Sequence, residues 1–563
     1  MNPREPGQGE VSPASANPDE DSSSLMHSTR AMATGTITSR LTGMLREPVV
    51  GAALGTGLLG DAYGVANVVP NILYILLVGG VLNAVFVPQL VRHMADDPDG
   101  GDGYADRLIT AVGLVLAVVT VAAVAAAPLI VDLYARNPTP DQQHVATVLA
   151  RYCLFQIFFY GVFTMYQQLL NSRGSFVVAM YAPIINNVVV IAVFVWFMAT
   201  THGIVTVNNI TPAQMRLIGL GTTAGVVAQA LVLLPAARRV GYRLKLRRDL
   251  RGHGLGHAWL LARWTIAFVL VNQLTYVLVT RLATGANSSG GTSHGTGVGF
   301  SVYTKANLLF ILPHSIVTVS IVTALLPRMS RAAHDHHLSE VGRDIGSGVR
   351  TSSALVLPAA AGFICLGPYV ATLLYRWGQT NAYEAHYIGV TLQALAVGLV
   401  SFSAYYVLLR GFYAVEDTRT PFWINVVLNV FNAALAVTLY RLAPSRLQVP
   451  ALGLALALSY VVTTFLAWRL LSRRVGGLDT YVTVRAIVRL TLAAVLAFVP
   501  ATVVAHGVSR LLGYSQLATA AALGSALVVA ALIFIPLSAR LRVPEVGELL
   551  EPILRRTPLR ARS

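Results

Sequence analysis

What most limits the fold of this chain is a succession of apolar runs, each about as long as a bilayer is thick, from residue 33 almost to the C-terminus. A helix that crosses a membrane needs roughly 20 mostly apolar residues, because hydrocarbon offers no partner for backbone N–H and C=O groups. Runs of this kind fall near 33–57, 61–91, 107–134, 146–171, 175–200, 215–237, 257–283, 299–327, 348–375, 385–413, 420–440, 450–472, 484–508 and 516–539. The expected fold is an all-α integral membrane protein with fourteen transmembrane helices. Only 12% of the residues are charged, half of the roughly 25% carried by soluble domains, which excludes an ordinary globular enzyme.

The net charge of +16 does not point to nucleic acid, because the basic residues lie in short loops between apolar runs and not on a soluble domain. Their placement orients the chain. With residue 1 in the cytoplasm, "RRVGYRLKLRRDLRGHG" (238–254) faces inward, as do Arg328, Arg331, Arg343, Arg410, Arg419, Arg469, Arg473 and Arg474. The outward loops are poor in charge: "TGANSSGGTSHGTGVG" (284–299) has none and "YARNPTPDQQH" (134–144) has a single arginine. This is the positive-inside pattern, and it puts both termini in the cytoplasm. Residues 1–30 lack the basic start and apolar core of a signal peptide and read as a disordered tail. Residues 541–563 read as a basic cytoplasmic tail. Cys153 and Cys365 lie in apolar runs, without disulfide or metal-ligand spacing, and read as small buried hydrophobes.

The chain also repeats. "YQQLLNSRGSFVVAMYAPIINNVVVIA" (166–192) and "YYVLLRGFYAVEDTRTPFWINVVLNV" (405–430) share an aromatic helix end, a polar loop, and a Pro- and Asn-bearing Val-rich helix. "VGGVLNAVFVPQL" (78–90) and "VTVSIVTALLPRM" (317–329) share an apolar run closed by proline. The offset is six helices each time. It implies two six-helix lobes, 31–240 and 256–475, related by an axis along the membrane normal, with helices 13 and 14 (480–540) appended. Transporters built this way hold substrate between the lobes.

Charges inside such helices cost at least ~2.5–3.5 kcal/mol at mid-membrane and usually face a cavity or a partner. The first run carries Arg40, Arg46 and Glu47 on one broad face beside Ser39 and Thr42. Pro48 disfavours regular helix at Glu47, so a break is expected there. Lys305, one of only two lysines with Lys245, lies in the eighth run. Asp61 opens the second, where an acidic residue suits a helix N-terminus. His314 reads as a buried helix residue. Cations facing one wet cavity select anions of the phosphate type. No Walker A loop and no nucleophile–base set occurs, so the residues alone describe a transporter of an anionic substrate with no cofactor.

"SRLTGMLRE" (39–47) with "GDAYGVANVVPNILYILLVGGVLNAVFVPQL" (60–90) resembles the MurJ (MviN) family of lipid II flippases in the MOP exporter superfamily. The matching positions are Ser39–Arg40, Arg46, Asp61–Ala62–Tyr63, Pro70–Asn71 and Gly80 to Pro88. "GFYAVEDTRTPFWINVVLNVFNAAL" (411–435) and "LLNSRGSFVVAMYAPIINN" (169–187) are similar to two further family motifs, and the arginine-rich, lysine-poor composition suits a GC-rich actinobacterium. The resemblance implies a V-shaped pair of lobes in the bacterial cytoplasmic membrane around a cationic cavity. The substrate it implies is the undecaprenyl-pyrophosphate-linked muropeptide lipid II, with membrane lipids and cell-wall synthesis proteins as other partners. Arg40 and Arg46 would hold the pyrophosphate, Asp61 and Asn71 would line the cavity, helices 13 and 14 would take the lipid tail, and Glu47 and Asp417 are candidates for ion pairing or gating. Three departures stand out: Tyr74 and Ile75 where the family often has arginine, Asn307 and Leu308 where it often has Asp-Arg, and no carboxylate in "WTIAFVLVNQLTYVLVTRLA" (264–283). Lys305, one turn from Leu308, can supply the missing cation. Without the carboxylate, membrane potential and not sodium is the expected drive. Other readings are a flippase or exporter of another lipid-linked glycan, and a membrane scaffold for cell-wall assembly.

Overall fold

The computed structural model describes residues 18–76, 98–99, 101–247, 249, 255–288, 297–541 and 545–547. Residues 1–17, the Gly80–Pro88 motif, residues 289–296 of the outer loop and residues 548–563 of the basic tail lie outside them. The regular structure described is helical throughout. The first half comprises α1 (Pro18–Leu54), α2 (Leu58–Leu76), α3 (Asp102–Ala125), α4 (Ala127–Tyr134), α5 (Pro140–Cys153), α6 (Gln156–Ser172), α7 (Val177–Thr200), α8 (Pro212–Leu231) and α9 (Leu233–Arg239). The second comprises α10 (Leu255–Ser288), α11 (Phe300–Pro313), α12 (Val319–His334), α13 (Leu338–Tyr375), α14 (Ala382–Ala396), α15 (Leu399–Ala414), α16 (Arg419–Leu442), α17 (Gln448–Val475), α18 (Thr480–Leu512) and α19 (Gln516–Arg540).

Among the described residues, eleven helices, or twelve if the pair α14–α15 with its 49° bend counts as one span, are long and apolar enough to cross a membrane. They coincide with the third to fourteenth apolar runs, while α1 and α2 occupy the first two. Their outward surfaces are apolar: Val503, Leu517 and Leu532 on α18 and α19 are exposed, as are Leu114 and Val118 on α3. A helix apolar on its outer side as well as its inner one belongs in lipid.

Two local expectations are corrected. Helix α1 starts at Pro18, inside the stretch expected to be an unfolded tail, where Pro followed by Asp-Glu-Asp suits the first turn of a helix. It also runs through Pro48 without ending. A proline removes one hydrogen bond and strains the turn before it, a cost that packing can absorb. The break falls at Gly55, whose φ of +68° is open to glycine and strained for other residues.

The repeat has a backbone counterpart. After α6, Gly174 N–H donates to Asn171 and Ser175 N–H to Leu170; after α15, Glu416 N–H donates to Tyr413 and Asp417 N–H to Phe412. Gly174 and Glu416 both take positive φ, so the two turns close their helices in the same way. One core gathers residues from Val50 to Tyr242. Two more gather mainly residues from Val279 to Leu478. A fourth seats α18 and α19 against α13 through Ala493, Ala497, Ala522 and Ala526, small residues that let the helices approach closely.

The strap after α9 is pinned to α3. Tyr242 Oη and Lys245 N–H both donate to Asp106 Oδ1, at 2.9 and 3.0 Å. Burial, then that carboxylate, pushes the Tyr242 phenol well above its usual value. Arg107 pairs with Asp249 at 2.9 Å.

Candidate functional site: a cavity shared by the two halves

Helices α1, α2, α6, α7 and α8 wall a cavity of about 510 Å³ from one side, and α10, α11, α15, α16 and α17 from the other. The charged side chains lining it, among the described residues, are Arg46, Glu47 and Lys305. Arg46 donates through Nη2 to Glu47 Oε1 at 2.9 Å and through Nη1 to Asn187 Oδ1 at 3.3 Å. Asn187 in turn donates from α7 to Ser39 O and Thr42 Oγ1, so one amide staples α7 to the polar face of α1. The Arg46 and Glu47 side chains remain 31% and 26% accessible. An arginine held this way keeps donors free for a second anion.

Lys305 comes from the other half, on α11, 4% accessible, with Nζ donating to Ser301 Oγ at 2.5 Å. It fits because residue 51 is glycine: a Cβ there would lie 3.0 Å from Lys305 Cε. Helix α1 therefore packs against the lysine stem and leaves its ammonium at the cavity wall.

The other candidates separate. Asn71 lines the cavity. Ser39 and Arg40 do not: Ser39 acts through its carbonyl, and Arg40 is half-buried on α1, about 9 Å nearer the helix start than Arg46 at 1.5 Å per residue. Asp61 is fully buried and also off the cavity wall. It caps a helix of the other half, accepting from Asn287 Nδ2 at 2.9 Å, Phe300 N–H at 3.2 Å and Ser301 N–H at 2.7 Å, where α11 begins. Asp417 lies away from the cavity. It caps α16 through the N–H groups of Arg419 and Thr420 and pairs with Arg474. His314 is buried, with Nδ1 3.2 Å from Ser403 Oγ and its ring on Phe402.

Asp61 belongs to a wider closure. Hydrogen bonds that join the halves gather at the end of the bundle that carries Gly55. Gln379 N–H donates to Ala52 O and Thr380 Oγ1 to Gly51 O, both at 2.8 Å, and Gln379 Nε2 to Ala53 O at 2.5 Å. Thr56 Oγ1 donates to Gly297 O at 2.8 Å. Arg281 donates to Asp132 O at 2.7 Å and Thr284 Oγ1 to Tyr134 O at 3.3 Å. The carbonyls of Ala52 and Ala53 end α1 without an i+4 donor among the described residues, and Gly51 O takes Thr380 as a second donor beside Gly55 N–H. The other half supplies donors to all three.

Amide side chains share the remaining polar wall with tyrosine, threonine and serine hydroxyls: Asn67, Gln156, Asn186, Asn272, Gln273, Asn307, Asn429 and Asn432. Sequence reasoning named Asn307 only as a departure and passed over the others as a cavity wall, although Asn425, Asn429 and Asn432 recur at helical spacing in an otherwise apolar segment, the signature of a polar stripe.

Comparison with known proteins agrees with this geometry. The sequence model of the family described as "Lipid II flippase MurJ" matches residues 50–532. A probable lipid II flippase MurJ of Rhizobium meliloti is 27% identical over 449 residues, covering 77% of this chain and 79% of that one. The lipid II flippase MurJ of Burkholderia cenocepacia is 28% identical over 395 residues, covering 69% and 72%. A solved lipid II flippase MurJ in an inward closed conformation superposes with a TM-score of 0.70 at 16% identity, over 93% of this chain and 99% of that one. An inward-facing multidrug resistance MATE family transporter of the MOP superfamily follows at 0.62 and 14%, over 78% and 96%. The cavity between two halves is thus set in a fold that both transporter groups share, and the chain belongs to the MurJ family of lipid II flippases.

Proposed function

We propose that this chain carries lipid II from the inner to the outer leaflet of the bacterial cytoplasmic membrane, supplying peptidoglycan synthesis and so cell shape. It is a transporter and not an enzyme. The observation that carries the reading is one cavity walled by both halves, with Arg46 and Lys305 as its cations and, among the described residues, cross-half hydrogen bonds gathered at the Gly55 end. In this reading α1 and α2 join the twelve apolar spans to make fourteen. Residues 31–240 and 256–475 form two six-helix lobes in a V. Residues 480–540 offer the lipid tail its groove, and both tails are cytoplasmic. The hydrogen-bonded end is then the outer gate and the cavity faces inward.

The pyrophosphate enters past Arg40 and Ser39 and displaces Glu47 from Arg46, since a diphosphate offers more acceptor oxygens and more charge. Lys305 closes on it from the other lobe. Bridging the two lobes by one anion favours closure on the inner side and release of the outer latch, the differential binding that alternating access needs. An anion moved outward runs down an inside-negative potential, worth about 2.3 kcal/mol per charge per 100 mV. Membrane potential is therefore the proposed drive, with no cofactor and no sodium. Cell-wall synthesis proteins that consume lipid II outside are the proposed partners.

The test is to replace Arg40, Arg46 and Lys305 singly with alanine in cells that depend on this copy. Arg46→Ala and Lys305→Ala are expected to stop outward exposure of lipid II and growth. Normal growth and normal exposure in all three would overturn the reading.

A further inference from the structure

Away from the cavity, the strap that follows α9 is held in a place that ordinary loops avoid. Arg239 ends α9, and Gly241, at φ +85°, turns the chain back. The strap then runs along α3. Lys245 N–H donates to Asp106 Oδ1 at 3.0 Å, and two residues later Arg247 N–H donates to Thr110 Oγ1 at 3.3 Å. Thr110 lies one turn, about 6 Å, further along the helix than Asp106. Helix α3 is long and apolar enough to cross a membrane. Arg107, Thr110, Leu114 and Val118 recur on it at spacings of three and four, so they share one face. Leu114 is 60% exposed and Val118 is exposed with it, which makes this the face turned to lipid. The strap, with Asp249 paired to Arg107, therefore lies on the start of a lipid-facing stripe and ends one turn short of its bare part.

What the strap presents outward suits that place. Leu244 and Leu246 are exposed, Leu246 to 80%. Arg238, Arg239, Arg243 and Lys245 are exposed as well, four cations within eight residues, and none of them is in an ion pair among the described residues. Residues 238–246 contain no acidic residue. We infer that residues 238–247 are a membrane-surface anchor: Leu244 and Leu246 enter the boundary between headgroups and acyl chains, and the four cations take the phosphodiester headgroups of anionic phospholipids. The occupant is lipid because the surface continues the lipid face of α3, and the lipid is anionic because the charge that meets it is positive throughout. Apolar insertion and a polybasic patch together make a stable anchor where either one alone is weak. The chain that crosses from the first half to the second thus leaves from a point fixed to the bilayer. Nothing in this depends on what the cavity carries.

The experiment uses the purified full chain in nanodiscs, with Cys153 and Cys365 replaced by alanine and one bimane label on Leu246→Cys or, as a loop control, on Asn208→Cys. The quenchers are phosphatidylglycerol or phosphatidylcholine bearing a nitroxide on the acyl chain, and iodide in the water. The Leu246 label is expected to be quenched by the lipids and shielded from iodide, and the Asn208 label the reverse. Titrating the nitroxide lipids should show phosphatidylglycerol associating at the Leu246 label at least about fivefold more strongly than phosphatidylcholine, the factor that a single juxtamembrane cation supplies. Replacing Arg238, Arg239, Arg243 and Lys245 with glutamine should bring the two lipids within twofold of each other. If that variant does not fold, Arg243→Gln with Lys245→Gln carries the comparison, with a smaller loss expected. A Leu246 label as open to iodide as the one at Asn208 overturns the inference. So does equal quenching by the two lipids in the chain that keeps its four cations, or a preference for phosphatidylglycerol that survives their removal.

Discussion

Asp61→Asn isolates the latch. In the closed gate one fully buried carboxylate collects a side-chain amide and two N–H groups at the start of α11. Asparagine keeps the shape and one acceptor oxygen. It loses the other and turns an NH₂ toward an N–H donor, and it removes a negative charge from a helix N-terminus. A hydrogen bond to a charged group is worth about 1.5–3 kcal/mol and the dipole term up to about 1 kcal/mol. Opening the gate lets wild-type Asp61 recover hydration, so the net bias lost is about 2–3 kcal/mol. At 1.4 kcal/mol per decade, the closed-to-open ratio falls roughly 30- to 140-fold. Spin labels at Asn208, on a loop, and Tyr383, in the first turn of α14, both exposed and flanking the Gln379–Val205 contact, report the distance across the gate. Wild type should give a short, narrow distribution and Asp61→Asn a long component that dominates or matches it. An unchanged distribution, with the protein folded, would refute the assignment of Asp61 to the gate.

Glu47→Gln removes the carboxylate that competes for Arg46, so lipid II should bind several-fold tighter and leave more slowly. Weaker binding, measured on the purified protein, would show that Glu47 supports the site. Asp417→Ala deletes a cap on α16 and an ion pair, and should cost about 1–2 kcal/mol of stability, read as a lower melting temperature, with lipid II affinity unchanged.

Span positions were legible because a bilayer demands length and apolarity, quantities a sequence states directly. The same sequence misplaced the break in α1. Proline raises the cost of helix locally, but the packing of residues 49–54 against the rest of the bundle decides whether that cost is met, and Gly55 is where the backbone turns. Asp61 was read as a site residue because its partners, Asn287 and the start of α11, lie far away in sequence and no local pattern announces them. Arg46 and Lys305 were identified as cations at odds with their surroundings, and both line the cavity. The asparagines of α16 were seen as marks of a repeat, and their spacing as one face went unused. Asn187 and Asn429 occupy matching places after the two similar turns, yet one meets α1 and the other α10, a distinction that only tertiary contacts supply.

The glycine at position 51 ties the chemistry of the cavity to the state of its gate. Lys305 is roofed by α1 there, and its ammonium shares Ser301 with the helix start that Asp61 holds. In the proposed cycle, parting of the latch would draw the roof off the lysine and free the serine. The positive charge on offer to a bound anion therefore differs between the two states without any residue changing protonation. A carrier built this way can grip on one side and let go on the other by altering how much of a single lysine its cargo can reach.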